Sequence, residues 1–326
     1  MGNPNKHLLG YDVGGTKSAA VIATFDGRVV DRVEWASDVA QGPDAMIAQF
    51  LQHARRLIAA RAGADPGGGP AGPIGAGGSI AGVGVSIGGP MDSVRGVILS
   101  PPHLPGWDDI PLADILRREL ALSVVVEHDA AACLEAEVLW GAAVGATHAA
   151  YLTCGTGCGA GLLVDGRIIR GPRGQSPELG HVRLAADGPE AFGKRGCVES
   201  FCSGSGIAKL AGWMFPSRWS GPVSTSDLHD LHQAGDADAS AVLAESALRT
   251  GQLCAIIADA FAPQVILLGS LARYLGDWWV QLVRRQFALE ALATNAAGTR
   301  IIPAGLGSRL QDLSSVAPYV FKESFK

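Results

Sequence analysis

An aspartate, two adjacent glycines, a threonine and a lysine stand together early in the chain, at the end of the run Leu8 to Lys17 (L-L-G-Y-D-V-G-G-T-K). Gly14 and Gly15 tolerate backbone angles closed to other residues. Lacking side chains, they also let a phosphate approach main-chain N–H groups, as in an anion-binding nest. Thr16 adds a hydroxyl and Lys17 a positive charge, while Asp12 is a carboxylate of the kind that holds magnesium through water. A glycine turn followed by an ordinary surface lysine would use the same residues, and a short glycine motif alone does not separate the two.

Matching pieces follow downstream. Cys154 to Gly161 (C-G-T-G-C-G-A-G) puts four glycines and Thr156 into one short turn. Paired with the first turn, it suits a nucleotide gripped from both sides, Thr156 and Gly157 lying at its centre. Asp129 follows the apolar run Ser123 to Glu127, a position that aims a side chain into the crevice of an α/β sheet. A carboxylate there can accept a hydroxyl proton during phosphoryl transfer; it can equally cap the helix that follows. Glu178, His181 and Glu199 offer directional acceptors and donors for sugar hydroxyls. Their plainer readings are a satisfied structural histidine and a first-turn helix charge.

These residues must be held by strands and helices. Leu8 to Val13, Ser18 to Phe25 and Arg28 to Glu34 read as strands, with an Asp26-Gly27 hairpin between the last two. Pro43 to Ala62 has helical periodicity, and Gly63 to Ser79 is a glycine- and proline-rich surface loop. A strand at Ile80 to Ile87, a short strand at Val94 to Leu99, a helix at Pro111 to Leu120 and a strand at Ser123 to Glu127 lead to a helix from Ala130 to Gly141. Beyond it, strands at Ala149 to Thr153, Ala160 to Val164 and Arg167 to Arg170 repeat the opening layout of strand, glycine turn, strand, Asp-Gly turn, strand, a pattern that reads as an internal duplication. Helices at Gly204 to Gly212, Ala239 to Phe261 and Trp278 to Ala291, strands at Gln264 to Leu268 and Arg300 to Ala304, and a helical tail from Gln311 complete the reading; Pro216 to Ala237 gives no clear pattern. Alternating strands and helices indicate an α/β protein. Two domains are expected, 1–128 joined by the C-terminal helix 311–326, and 129–310, with a ligand cleft between them.

Composition narrows the partners. The chain has 326 residues, 48% hydrophobic and 17% charged, with a net charge of −5. That balance argues against a nucleic-acid partner, which would favour a basic face. Mean hydropathy is +0.21. No uninterrupted apolar run reaches the roughly 18 residues of a membrane span, and no signal peptide is read. The six cysteines form no compact disulfide framework. A cytoplasmic protein is expected.

The ordered set D-V-G-G-T-K (Asp12 to Lys17), L-P-G-W (Leu104 to Trp107), E-H-D-A-A (Glu127 to Ala131), G-T-G-C-G-A-G (Gly155 to Gly161), E-L-G-H (Glu178 to His181) and G-C-V-E (Gly196 to Glu199) resembles the ROK family of bacterial glucokinases, other hexose and amino-sugar kinases and related repressors. The resemblance runs from Gly10 to about Leu306. It implies the two-domain actin/hexokinase-type (ribonuclease H-like) fold, with ATP, magnesium and a sugar as ligands and a homodimer as the assembly. By that likeness Asp129 is the catalytic base, and Glu178, His181 and Glu199 contact sugar hydroxyls. Asp12, Gly14, Gly15, Thr16, Lys17, Thr156 and Gly157 serve the nucleotide, and Gly269 lies on its adenosine side.

The departures carry information too. His128 and His103 stand where the family usually has asparagines, both near the sugar. Of the family's zinc donors, a histidine and three cysteines, only His181 and Cys197 remain, with Glu190 and Phe192 in the other places. Phenylalanine cannot ligate zinc, and structural sites want four N/S ligands, so no structural zinc is expected. Gly269-Ser270 replaces a glycine pair, and Gln311-Asp312-Leu313 replaces an A-G-L-like stretch. The expectation is an ATP-dependent sugar kinase acting on a hexose-like substrate. Its rival is a non-catalytic, sugar-sensing regulator on the same fold. The family's repressors carry a DNA-binding segment ahead of the first glycine motif; only a few residues precede Leu8 here, so that version is not expected.

Overall fold

The computed structural model describes residues 6–62 and 79–324, so the loop expected at Gly63 to Ser79 lies outside the described residues apart from its last position. The chain opens with β1 (His7–Val13), β2 (Lys17–Thr24) and β3 (Val29–Ala36), then α1 (Gly42–Ala62) and β4 (Ile80–Ile87). The paired dipeptides β5 (Met91–Asp92) and β6 (Val97–Ile98) flank a turn, so the strand expected at Val94 to Leu99 is half of a small hairpin. There follow α2 (Leu112–Leu120), β7 (Val124–His128) and α3 (Asp129–Trp140). The pattern restarts with β8 (Ala149–Leu152), β9 (Ala160–Val164) and β10 (Arg167–Ile168), then the hairpin β11 (Glu190–Ala191) and β12 (Lys194–Arg195). Next come α4 (Val198–Cys202), α5 (Gly204–Met214), α6 (Thr225–Gln233), α7 (Ala237–Phe261) and β13 (Val265–Leu268). The chain closes with α8 (Ser270–Glu290), α9 (Ala293–Gly298), β14 (Arg300–Pro303) and α10 (Leu310–Ser324).

Two five-stranded sheets have one plan. Their orders are β3-β2-β1-β4-β7 and β10-β9-β8-β13-β14. In each, the first three strands in sequence are antiparallel and the next two run parallel to the first. The repetition read from the two glycine turns is therefore one of topology. This is the duplicated α/β plan of the actin/hexokinase-type fold.

The described residues divide into two compact units, one within Met1–Val144, Arg170–Ser176 and Ser308–Lys326, the other within Gly145–Ile169 and Pro177–Gly307. The expected boundary before Asp129 differs from this division because α3 packs against α10, which holds it in the first unit. A short excursion, Arg170–Ser176, also belongs to the first unit. It is tied there by Arg170 and by a Ser93 hydroxyl that donates to the Gly174 carbonyl at 2.9 Å.

In the first unit, strand alternation decides which way each residue of β1 faces. Leu9, Tyr11 and Val13 enter a core with Met46, Phe50 and Trp107, and the Tyr11 hydroxyl donates to the Phe50 carbonyl at 2.9 Å. Leu8 and Gly10 face α10, and Asp12 shares that side. Glycine is required there: a Cβ at Gly10 would lie 2.1 Å from the Ser315 hydroxyl, one at Gly84 2.3 Å from the Ser315 carbonyl, and one at Gly82 2.0 Å from the Tyr319 ring. Helix α10 thus lies directly on the sheet.

The core of the second unit is built around α7, which buries Val242, Leu243, Leu253 and Ile257 against α8 and neighbouring helices. Among the described helices, α7 alone has the length and hydropathy of a membrane span; here it is a core helix. Cys154, Cys158, Cys202 and Cys254 join the same core as free thiols. Helix α8 starts eight residues before the expected Trp278, because Gly276 (φ 76°) breaks it into two pieces.

Candidate active site

The expected site residues divide between the units. Asp12, Gly14, Gly15, Thr16, Lys17, His103, His128 and Asp129 belong to the first; Thr156, Gly157, Glu178, His181, Glu199 and Gly269 belong to the second.

In the first unit the turn after β1 is closed by a hydrogen bond from Gly14 N–H to the Lys17 carbonyl at 3.2 Å. Ser37 grips its other side, its hydroxyl donating to the Gly14 carbonyl at 2.7 Å and its N–H to the Thr16 carbonyl at 3.0 Å. Both glycines are needed for packing. A Cβ at Gly14 would stand 2.8 Å from the Lys17 carbonyl, and one at Gly15 2.7 Å from the His103 carbonyl. The L-P-G-W loop therefore braces the first turn, anchored by buried Leu104 and Trp107, with the His103 side chain exposed. Thr16 is exposed, and Lys17 lies in an exposed ion pair with Glu34 at 3.3 Å.

Asp12 is half-buried where β1 ends. Burial, then the nearby Asp129 and Asp312 carboxylates, push its carboxyl up to about 7 against the pull of Lys17 and Arg32. Asp312, from the first turn of α10, is paired with Arg32 at 2.8 Å. Asp129 sits at the carboxyl end of β7 as the first residue of α3, its side chain 47% exposed. It is not the helix cap. His128 takes that place, its Nδ1 accepting from the Ala130 N–H at 3.3 Å, while Asp129 Oδ1 accepts from the same N–H at 2.6 Å. His128 is buried beside Gly89. Imidazole can replace asparagine at a cap because both offer an acceptor.

Behind this pair lies a network that the sequence reading missed. Glu127 Oε1 accepts from the His128 N–H at 2.8 Å, and its Oε2 takes the Arg170 guanidinium, with Nε at 3.0 Å. Arg170 also reaches Glu135 at 3.4 Å. Both glutamates are 2% exposed. Burial and then Glu127 hold the Glu135 carboxyl well above its usual range, against the opposing effect of Arg170. The available signal was Glu135 and Glu137 among the apolar residues of one helix, since a buried carboxylate needs a partner. Nothing in the sequence named Arg170 as that partner.

In the second unit the turn from Cys154 to Gly159 is closed by Gly155 N–H to Gly157 O at 3.0 Å and Thr153 N–H to Gly159 O at 3.0 Å. Two helix starts meet it. From α5, Gly204 N–H donates to Gly155 O at 2.7 Å and Ser205 N–H to Thr156 O at 3.3 Å. From α8, Leu271 N–H and the Ser270 hydroxyl both donate to Cys154 O at 3.1 Å. Gly269 is the residue before α8, and a Cβ there would be 1.9 Å from the Thr153 carbonyl. Helix N-termini carry partial positive charge, so the surroundings of this turn favour an anion. Thr156 is exposed and Gly157 half-exposed.

Glu199, on α4, lies against this turn: its Oε2 accepts from the Cys158 N–H at 3.1 Å. Glu178 and His181 are exposed in the preceding loop. The His181 ring is stacked on Phe192 at 3.9 Å and 18°. Lys194 Nζ donates to the His181 carbonyl, and Cys197 is buried with its thiol 3.7 Å from the Ala191 carbonyl. A tetrahedral zinc site does not fit these residues: one donor set member is an aromatic ring lying on the remaining histidine. Among the described residues, no group of three or more His, Cys, Asp or Glu is arranged to hold a metal ion.

Comparison with known proteins agrees with the motifs. A sequence profile of the ROK family matches residues 72–309. The glucokinase of Halalkalibacterium halodurans is 29% identical over 318 residues, covering 93% of this chain and 92% of that protein. The N-acetylmannosamine kinase of Yersinia pseudotuberculosis is 30% identical over 294 residues, covering 87% of this chain and 89% of that protein. Among solved structures, the ROK hexokinase from Thermus thermophilus superposes with a TM-score of 0.81 at 29% identity, over 98% of this chain and 99% of that one.

Proposed function

The chain belongs to the ROK family, and from that premise we propose that it is a sugar kinase that transfers the terminal phosphate of ATP to a hydroxyl of a hexose-like sugar. The observation that carries this reading is Asp129, a half-exposed carboxylate held at a strand end by the first turn of α3 and by the Glu127–Arg170 network behind it. In the proposed reaction the sugar oxygen attacks the γ-phosphorus, the bond to the β–γ bridging oxygen breaks, and Asp129 accepts the hydroxyl proton. Phosphoryl transfer depends mostly on positioning and charge stabilisation, with a base adding roughly a hundredfold or more.

In the first unit, Gly14, Gly15, Thr16 and Lys17 serve the triphosphate. Asp12 suits the magnesium that accompanies ATP, because its burial beside Asp129 leaves a carboxylate in want of a cation. Bound magnesium supplies neutralisation of phosphate charge. In the second unit, Thr156 and Gly157 serve the phosphates between two helix starts, and Gly269 lies toward the adenosine. Glu178, His181 and Glu199 orient the sugar. His103 faces solvent beside the first turn and is assigned to the sugar as well. His128 also belongs to the sugar side, through the position of its ring next to Gly89.

Structural zinc is not part of this proposal; the Phe192 ring on His181 takes the place of a metal in holding the β11–β12 hairpin. Cys154, Cys158, Cys202 and Cys254, free thiols gathered in one core, fit a reducing cytoplasm. A homodimer is proposed too, supported by exposed Ile256, Leu289 and Leu292 near where α7 meets the end of α8. A sugar sensor without catalysis would have no need of both Asp12 and Asp129, which favours the enzyme. The test is ATP consumption across glucose, mannose, N-acetylglucosamine, N-acetylmannosamine and inositol, with magnesium present. Turnover with at least one of them is expected; ATP left untouched with every sugar refutes the proposal.

A further inference from the structure

The second glycine turn is fastened to the E-L-G-H and G-C-V-E motifs through a single residue's main chain. The Cys158 N–H donates to Glu199 Oε2 at 3.1 Å. The Cys158 carbonyl lies against Gly180, where a Cβ would be 2.2 Å from that oxygen. The backbone of Glu199 is fixed as well. Its carbonyl accepts the Ser203 hydroxyl at 2.8 Å, and Gly206 packs so close that a Cβ there would be 2.1 Å away. Ser203 caps α5, whose first residues bond the glycine turn from its other side. Among the described residues no hydrogen bond reaches Glu199 Oε1, and the side chain is half-exposed.

We infer that Glu199 is a positioning residue that couples sugar binding to nucleotide binding, one carboxylate oxygen holding the nucleotide turn and the other taking a sugar hydroxyl. The inference rests on the sugar-kinase reading, which assigns Glu199 to the sugar and Gly157 to the phosphates. A sugar hydroxyl on Oε1 fixes the carboxylate from its other side, so the Cys158 amide no longer has to order it alone. The turn is then preorganised for phosphate. Linkage requires the converse: nucleotide that orders the turn fixes Glu199 for the sugar by the same factor, typically about fivefold or more.

Gly157 provides a way to disturb this link from the nucleotide side. A Cβ there would be 3.0 Å from Glu199 Oε2 and 3.7 Å from its Cδ. Gly157 is not among the positive-φ glycines, so alanine fits the backbone, and the strain falls on the Glu199 carboxylate. The experiment is calorimetric titration of the full chain with whichever of glucose, mannose, N-acetylglucosamine, N-acetylmannosamine and inositol the wild type phosphorylates best, with and without saturating AMPPNP. In the wild type the sugar Kd is expected to tighten about fivefold or more with AMPPNP. In Glu199→Ala that ratio falls to unity; comparing the same variant with and without nucleotide cancels its lost sugar contact. In Gly157→Ala the sugar Kd weakens severalfold with no nucleotide present, an effect that a purely nucleotide-binding turn would not produce. A wild-type sugar Kd indifferent to AMPPNP, a Glu199→Ala ratio like that of the wild type, or an unchanged nucleotide-free Kd in Gly157→Ala overturns the coupling alone. Wild-type protein that binds none of the five sugars of the kinase test overturns the kinase reading and the coupling together.

Discussion

Replacing Arg170 with methionine tests the support behind the proposed base. The guanidinium is the cation between two glutamates that are each 2% exposed, bonding Glu127 through Nε at 3.0 Å and reaching Glu135 at 3.4 Å. Among the described residues the second oxygen of Glu135 is buried without a hydrogen-bond partner, and Arg170 is the cation paired with this carboxylate. Removing one partner from a buried ion pair costs about 3–5 kcal/mol. The lower end applies, because the Arg170 side chain is 30% exposed and water reaches the site. A loss of about 3 kcal/mol lowers the melting temperature of a unit this size by roughly 6–12 °C. The loss depends on pH. Glu135 is already held above its usual range by burial and by Glu127, and losing Arg170 raises it further. A carboxyl with a raised folded-state pKa binds its proton more tightly folded than unfolded. Its contribution is therefore favourable at low pH and declines as pH rises through the folded value. Scanning calorimetry of Arg170→Met should show the larger deficit near pH 8 and a smaller one near pH 5.5. Adding Glu135→Gln should recover part of it at the higher pH. A deficit under about 1 kcal/mol, or one equal at both pH values, would refute the buried-pair reasoning.

Further predictions follow from the two ends of the site. Asp12 has a folded-state carboxyl at about 7, raised by burial and by Asp129 and Asp312. Its cost to stability is absent below the unfolded value of about 4 and builds as pH rises toward 7. Asp12→Asn, although inactive by the proposed role, should melt higher than the wild type at about pH 8 and equally near pH 4; the opposite trend would contradict the assignment. Phe192→Ala removes the ring stacked on His181. An aromatic pair of this kind contributes about 0.5–1.5 kcal/mol, so the sugar KM should rise roughly two- to tenfold with kcat little changed. Mass-spectrometric metal analysis of fully active wild type should find zinc far below stoichiometric amounts, and one zinc per chain would remove the basis for the stack's role.

The local architecture was written where backbone chemistry is written. Asp26-Gly27 and Asp165-Gly166 gave their hairpins because those pairs accept positive φ, observed at Gly27 (80°), Asp165 (50°) and Gly166 (72°). The sheet strands were legible from apolar runs ending at glycine turns, and Asp129 from its place after such a run. Helix α6 was legible and missed. Ser224 and Asp227 form a capping box, the S-x-x-D signature of a helix start, inside a stretch that otherwise shows no pattern. Other features depend on partners far away in the chain. Arg170 finds Glu127 across 43 positions, Glu199 finds Cys158 across 41, and four scattered cysteines meet in one core. Capping by His128 rather than Asp129 turned on a backbone shift of one position, below what a run of apolar residues can specify.

The central claim is that Asp129 takes the proton from the attacking hydroxyl. It is tested most directly by Asp129→Asn, which keeps the shape and an acceptor for the Ala130 N–H but removes the base. Steady-state kinetics with the preferred sugar and magnesium ATP should show kcat lowered about a hundredfold or more, with AMPPNP binding by calorimetry within about twofold of the wild type. An Asp129→Asn enzyme that turns over at the wild-type rate would contradict the account.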